Sequence, residues 1–255
     1  MPRFYSPEPL AIGIVSLDKD TAHHIQVLRL RLGDAVSLFN GDGNNYQAVL
    51  RSLDKPVSVE IISALPANTE LPVAISLAQG LVEPSKMDWL IEKAVELGVQ
   101  NIYPIAAARS VTKLDETRAA KRLAHWHALA IAASQQCGRS VLISVEQPLG
   151  VKATLLNAAL FKINSISSVQ QTGQNTSKPH HLLMHPEGGI SLQQWCATHP
   201  PHPVCLWVGP EGGWSPAELA ELESAGAQRV HFGTRVLRTE TAGLAVAAAI
   251  QALWC

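Results

Sequence analysis

Leu206-Trp207-Val208-Gly209-Pro210-Glu211-Gly212-Gly213-Trp214-Ser215-Pro216-Ala217-Glu218 reads as a strand, a glycine-rich turn and the start of a helix. The apolar run from Val204 to Val208 has no polar alternation, as in strands buried on both faces of a parallel sheet. Ser215 stands at an N-cap, Pro216 in the first helical turn, and Glu218 where it completes a capping box; Gly226 closes the helix. At the carboxyl end of such a strand, backbone amides become free and glycines let a ligand approach the chain. The same turn also reads as a connection required only by topology. It is neither a GxGxxG nor a Walker loop, so no phosphate cradle is indicated.

Outward from this unit the pattern repeats. Strand-like runs at Val73 to Leu77, Val141 to Val145, His181 to His185 and Arg229 to Phe232 alternate with helical segments. Met87, Leu90, Ile91, Ala94, Val95 and Leu97 form one helical stripe ahead of Gly98, and Asp115 to Gln136 reads as a long helix. The expected product is an α/β domain, a mostly parallel sheet covered by helices on both faces. Upstream the period differs. Ala35 to Phe39 and Tyr46 to Leu50 flank Asn40-Gly41-Asp42-Gly43-Asn44-Asn45, a hairpin signal, and Val57 to Ile62 alternates at period two. Pro66 to Pro72 is read as a linker, dividing the chain into domains at 1–70 and 73–255. Asn164 to Lys178, polar and without periodicity, is read as a surface insertion.

Composition sets limits on function. The 255 residues are 47% hydrophobic with a net charge of -1, so a nucleic-acid partner must be met by a local patch. Cys137, Cys196, Cys205 and Cys255 have no CxxC spacing, which suits a reducing compartment. The longest apolar stretch, Ala242 to Trp254, contains Gln251 and is too short to span a bilayer, so a cytoplasmic protein without a membrane partner is expected. The histidine pairs (His23-His24, His125 with His127, His180-His181, His199 with His202) lack a zinc-site pattern, and no metal is expected.

Two further loops follow apolar strands. One, Met184-His185-Pro186-Glu187-Gly188-Gly189, repeats Pro-Glu-Gly-Gly; a pocket shared with the first turn explains two such loops better than two unrelated turns do. The other, Phe232-Gly233-Thr234-Arg235-Val236-Leu237-Arg238-Thr239-Glu240-Thr241-Ala242, leads into an alanine-rich helix. It also reads as an elaborate N-cap, although two arginines and a glutamate exceed what capping needs.

Gly209-Pro210-Glu211-Gly212-Gly213 followed by Val236-Leu237-Arg238-Thr239-Glu240-Thr241-Ala242 resembles the signature of the bacterial small-subunit ribosomal RNA uridine-N3 methyltransferase family, of the SPOUT class. His24 to Arg29, Glu92 to Val99, Ala108-Arg109-Ser110 and Ser134 to Arg139 match it in order, with Gln135 where the family often has glutamate. The resemblance implies a small N-terminal PUA-like β-barrel that binds RNA, a C-terminal SPOUT domain with a trefoil knot, and a homodimer acting on ribosomal RNA of the small subunit. It implies an S-adenosyl-L-methionine pocket formed by Leu183, His185, Pro186, Gly209, Pro210, Glu211, Gly212, Gly213, Phe232, Gly233, Val236, Leu237, Arg238, Thr241 and Ala242.

Methyl transfer to uridine N3 is an in-line displacement that demands positioning and removal of one proton. Arg238 is the candidate for stabilising the developing uridine anion and Glu240 for orientation or proton acceptance. Residues 106 to 141 hold six basic groups (Arg109, Lys113, Arg118, Lys121, Arg122, Arg139) against Asp115 and Glu116, a local +4. A solvated helix face accounts for such a run; Arg109 and Arg139, outside the helix centre, are preferred as RNA or pocket contacts. Residues 1 to 70 carry six basic and eight acidic groups, a local -2, leaving Arg3, Arg29 and Arg31 as that domain's RNA candidates. A non-enzymatic RNA-binding dimer and an α/β enzyme acting on a small nucleotide are the other readings, separated from the first by cofactor binding.

Overall fold

The computed structural model describes residues 1–157 and 178–255. Apart from Lys178, the expected insertion lies outside them. The chain forms two compact units; the first is Met1–Glu70 and also takes in Ile131–Leu142, a segment that a division at 70–73 does not include.

In the first unit, strands β1 (Arg3–Tyr5), β2 (Gly13–Ser16), β3 (Ala35–Phe39), β4 (Asn44–Ser52) and β5 (Ser58–Pro66) form a five-stranded sheet in the order β1-β3-β4-β5-β2, with helix α1 (Lys19–Val27) after β2. The expected hairpin is present: Ala35 faces Val49 and Val36 faces Ala48 in antiparallel register. Its turn is held by side-chain acceptors, with Asp42 N–H donating to Asn40 Oδ1 (3.2 Å) and Asn44 N–H to Asp42 Oδ1 (2.8 Å). Alternation sends Val36, Leu38, Ala48, Leu50, Val59 and Ile61 inward, where Ile25 of α1 joins them.

The second unit holds β6 (Ile75–Gly80), α2 (Pro84–Glu96), β7 (Asn101–Ile105), the first turns of α3 (Glu116–Cys137), β8 (Ser144–Val145), α4 (Val151–Leu156), β9 (His180–Met184), β10 (Ile190–Ser191), α5 (Leu192–Thr198), β11 (Val204–Val208), α6 (Pro216–Ser224), β12 (Gln228–His231) and α7 (Thr239–Trp254). Its sheet runs β10-β12-β9-β11-β6-β7-β8, and every described pairing is parallel. All residues of β6 and β11 are buried, which is why β11 reads as an unbroken apolar run, while β6 carries Ser76 and Gln79 within the sheet. The capping box at Ser215 and Glu218 forms as expected. The strand expected at Val141 to Val145 is reduced to Ser144–Val145, because Val141 bridges Gly41 and Asp42 in the first unit, and the Ser140 carbonyl accepts from Gly43 N–H.

Adjacent histidines on β9 face different surroundings. The His180 ring meets those of Trp195, His199 and His202, while His181 Nδ1 accepts a hydrogen bond from Trp207 Nε1 (2.9 Å). Burial, reinforced by His180 and Lys178, holds the His181 imidazole below its ordinary pKa; burial and the neighbours His202 and His199 do the same to His180. As pH falls through the unfolded-state value near 6.5, the unfolded chain takes up these protons first, so stability is lost on the acid side. Thermal unfolding followed by circular dichroism is expected to show a lower Tm at pH 5 than at pH 7.5, and a smaller drop in His181→Asn. An equal drop in the variant excludes His181 as a source.

Candidate active site

In the sheet order, β12, β9 and β11 are neighbours, so the loops leaving their carboxyl ends are neighbours too. With strands about 4.8 Å apart, three loop origins fall within roughly 10 Å. These are the loops at 185–189, 209–215 and 232–238. They enclose a cleft of about 910 Å³, completed by Lys86 of α2 and by Arg109.

Each loop is fixed locally. Gly189 has φ +77, and a Cβ there would sit 2.1 Å from the carbonyl oxygen of Arg229. Gly80, at the end of β6, would carry a Cβ 2.5 Å from Pro210 N, so the two strand ends touch through backbone alone. Arg109 Nη1 donates to the carbonyls of Gly212 (3.3 Å) and Trp214 (3.2 Å), pinning the 209–215 turn, while Lys86 Nζ lies 3.3 Å from Glu211 Oε1. The Thr239 hydroxyl donates to the Gly209 carbonyl and accepts from Gln79 Nε2 (3.1 Å), joining the start of α7 to both strand ends.

Arg238 occupies the N-cap of α7 without a capping side-chain hydrogen bond, so this stretch is not merely a cap. Both Arg238 and Glu240 line the cleft. Glu240 is 9% exposed in the first turn of α7, and its carboxylate has no hydrogen-bond or ion-pair partner among the described residues. Trp214 Nε1, likewise buried and lining the cleft, also lacks an acceptor there. A buried indole donor without a partner among the described residues, beside a carboxylate that faces the cleft, is positioned to meet a ligand. The cleft otherwise offers apolar surface from Met184, Val208, Phe232 and Leu237, free strand-end backbone, and the cations Lys86, Arg235 and Arg238. This donor set fits a molecule with an aromatic base, a ribose and a zwitterionic amino-acid end.

Of the residues expected around the cofactor, His185, Pro186, Gly209, Pro210, Glu211, Gly213, Phe232, Gly233, Val236, Leu237, Arg238 and Ala242 line the cleft. Gly212 and Thr241 stand beside it without lining it. Leu183 does not line the cleft: its side chain is fully buried in the sheet, and the next residue, Met184, lines it. Lys86 and Thr239 were not anticipated. Lys86 lies on a distant helix with no local signal, whereas Thr239, between two expected residues, was legible as the first helical position.

The arginine expectations divide. Arg29 and Arg31 are exposed, and Arg109 is exposed at the cleft wall. Arg139 is corrected as an RNA contact: it is 3% exposed and forms a bidentate pair with Glu70, Nε to Oε1 at 2.9 Å and Nη2 to Oε2 at 2.6 Å. Arg3 is also turned inward, donating to the carbonyls of Ser134 (2.7 Å) and Arg139 (2.8 Å), with its guanidinium 3.8 Å over the Phe39 ring; burial lowers its pKa to about 10. The first unit thus holds inward two arginines expected as contacts, Arg3 of the N-terminal domain and Arg139 of the C-terminal one. The histidine pairs assemble no group of three or more potential metal ligands among the described residues.

Residues 69–251 match the family of RNA methyltransferase domains, and residues 17–62 that of RNA methyltransferase PUA domains. A curated relative, the ribosomal RNA small subunit methyltransferase E of Bacillus subtilis, is 31% identical over 92% of this chain and 89% of its own length. The crystal structure of ribosomal RNA small subunit methyltransferase E from Neisseria gonorrhoeae bound to S-adenosyl methionine has a TM-score of 0.85 at 36% identity, covering 100% of this chain and 98% of that one. A Legionella pneumophila putative methyltransferase, in complex with the same cofactor, has a TM-score of 0.83 at 30% identity over 98% and 96% of the two chains.

Removing one partner of the buried Arg139–Glu70 pair strands a charge, at a cost of about 3–5 kcal/mol. Arg139→Met is expected to lower the urea midpoint accordingly, and Arg139→Lys, lacking the fork, to recover little of it. Wild-type stability in Arg139→Met would return this residue to the list of surface contacts.

Proposed function

The chain belongs to the RNA methyltransferase family of the ribosomal RNA small subunit methyltransferases E, and on that premise we propose that it methylates N3 of a uridine in small-subunit ribosomal RNA in the cytoplasm, as a homodimer. The observation that carries this reading is the convergence of three strand-end loops on one cleft lined by a carboxylate and a neighbouring arginine. S-adenosyl-L-methionine, when bound, supplies an electrophilic methyl group on a sulfonium. His185, Pro186, Gly209, Pro210, Phe232 and Leu237 are the residues to hold it.

The chain's own groups do the rest. Arg238, exposed at the rim, places a guanidinium against the uridine oxygens and stabilises negative charge as N3 loses its proton. Glu240, facing the cleft from the first turn of α7, orients the base or accepts that proton; the free amides of the helix N-terminus favour a carboxylate there. Phe232 and Val236, 39% and 81% exposed on the same loop, offer apolar surface for the base or for a partner subunit. The homodimer reading is further supported by exposed apolar side chains on the paired helices α2 and α7, Trp89 (44%) and Leu253 (49%). The same family reading carries the trefoil knot, and RNA binding by the first unit through Arg29 and Arg31. No described helix is long and apolar enough to cross a membrane.

Labelled S-adenosyl-L-methionine incubated with small subunits lacking the modification is expected to yield 3-methyluridine on nucleoside analysis. Arg238→Ala and Glu240→Gln are each expected to lower turnover about a hundredfold or more, with the folded structure retained. Full turnover in both variants removes the assigned roles; a different methylated nucleoside removes the N3 reading while keeping the enzyme class.

A further inference from the structure

A second cavity of about 480 Å³ lies in the same unit, lined by Pro84, Thr112, Lys113, Leu114, Arg118, Lys121, Arg122 and His125. Arg118, Lys121, Arg122 and His125 are spaced i, i+3, i+4 and i+7 on α3, which places them on one helical face. Thr112 Oγ1 donates to the Val82 carbonyl (2.8 Å), and Lys113 Nζ to the carbonyl of Ala108 (3.1 Å), so the segment before the helix is tied down beside that face. Like charges at these spacings repel one another, and a bound anion relieves that repulsion. Here no acidic residue lines the cavity. Two acids touch its rim: Asp88, 2.9 Å from His125 Nε2 and 3.9 Å from Arg122, and Asp115, 3.3 Å from Arg118 Nε in an exposed pair of little strength. Lys121 has no ion-pair partner among the described residues.

Position adds a second argument. Pro84 lines this cavity and Lys86 the active-site cleft, about 3 Å apart along one helical turn. Arg109 lines the cleft and Lys113 the cavity; four residues of chain span at most about 14 Å. Through α2 and the 109–113 segment the cavity lies within chain reach of the cleft, close enough for phosphates that neighbour a base held there. In a chain of net charge -1, with Arg3 and Arg139 folded inward, this is a concentrated patch of cations next to the chemistry.

We infer that this cavity binds backbone phosphates of the RNA strand flanking the target nucleotide. Lys113, Arg118, Lys121 and Arg122 supply the charge, and Pro84 and Leu114 an apolar floor for a ribose. The inference rests on the functional reading above.

The test measures binding of deproteinised small-subunit ribosomal RNA by the full chain over a salt series, for wild type and Arg118→Ala/Lys121→Ala, with methylation of small subunits assayed in parallel. Arg118 is 72% exposed in its side chain and neither residue lines the cofactor cleft, so the variant is expected to fold and to bind S-adenosyl-L-methionine as wild type does. The expected result is about tenfold weaker RNA binding at moderate salt and a log–log salt slope shallower by about 1 to 2, restored by Arg118→Lys/Lys121→Arg. Unchanged affinity and slope overturn the inference, while methylation by wild type leaves the functional reading standing. Normal binding of bare RNA with weakened binding of intact subunits also overturns it, in favour of a protein contact. Wild type that methylates nothing yet binds RNA through Arg118 and Lys121 sinks the functional reading and keeps the phosphate site; wild type that methylates small subunits but binds no RNA overturns the phosphate site alone, and wild type that does neither sinks both.

Discussion

Where β6 and β11 end side by side, Gly80 comes so near Pro210 that no side chain fits between them. Everything in the active-site cleft is referred to this contact. The backbone-to-backbone approach lets Thr239 reach the Gly209 carbonyl while Gln79 holds Thr239 from the neighbouring strand end. The first turn of α7 is thereby placed against the sheet with Arg238 and Glu240 facing the space left open. A methyl group at residue 80 would move the 209–215 turn, and with it the Arg109 clasp on Gly212 and Trp214.

Pre-organisation of this kind suits a reaction in which the enzyme mainly holds reactants in line. Little covalent chemistry is asked of the protein; what matters is that the loops are not reordered at each turnover. The fully buried β6 and β11 provide the rigid floor, and the Trp214 indole nitrogen, buried without a partner among the described residues, lines the cleft beside the Glu240 carboxylate. A buried polar atom without a partner costs free energy, and at a binding cleft that cost is offset when a ligand arrives.

The distribution of arginine follows the same division of labour. Arg139 and Arg3 fasten Ile131–Leu142 into the first unit, through Glu70 and through the carbonyls of Ser134 and Arg139. Arg109 braces the glycine turn, and the basic face of α3 remains for solvent or for an anionic partner. Residue type gives none of this away, since a guanidinium serves equally as a clamp for backbone carbonyls, a fork for a carboxylate or a docking point for phosphate.

By itself the sequence determined the local elements and the chemistry of the loops. The apolar run at Val204–Val208, the capping box at Ser215 and Glu218, the Asn40–Asn45 turn and the three strand-end loops are all decided by neighbours a few residues apart, through steric and hydrogen-bonding rules that act locally. Only the tertiary structure decided the rest. That β12, β9 and β11 are adjacent, that Lys86 and Arg109 close the cleft, that Leu183 points into the core and Met184 out of it, and that Val141 leaves the second sheet to bridge Gly41 all depend on pairings across tens to hundreds of residues. Which cation is buried and which is free depends on where the matching acid or carbonyl arrives in space, and no local pattern records that.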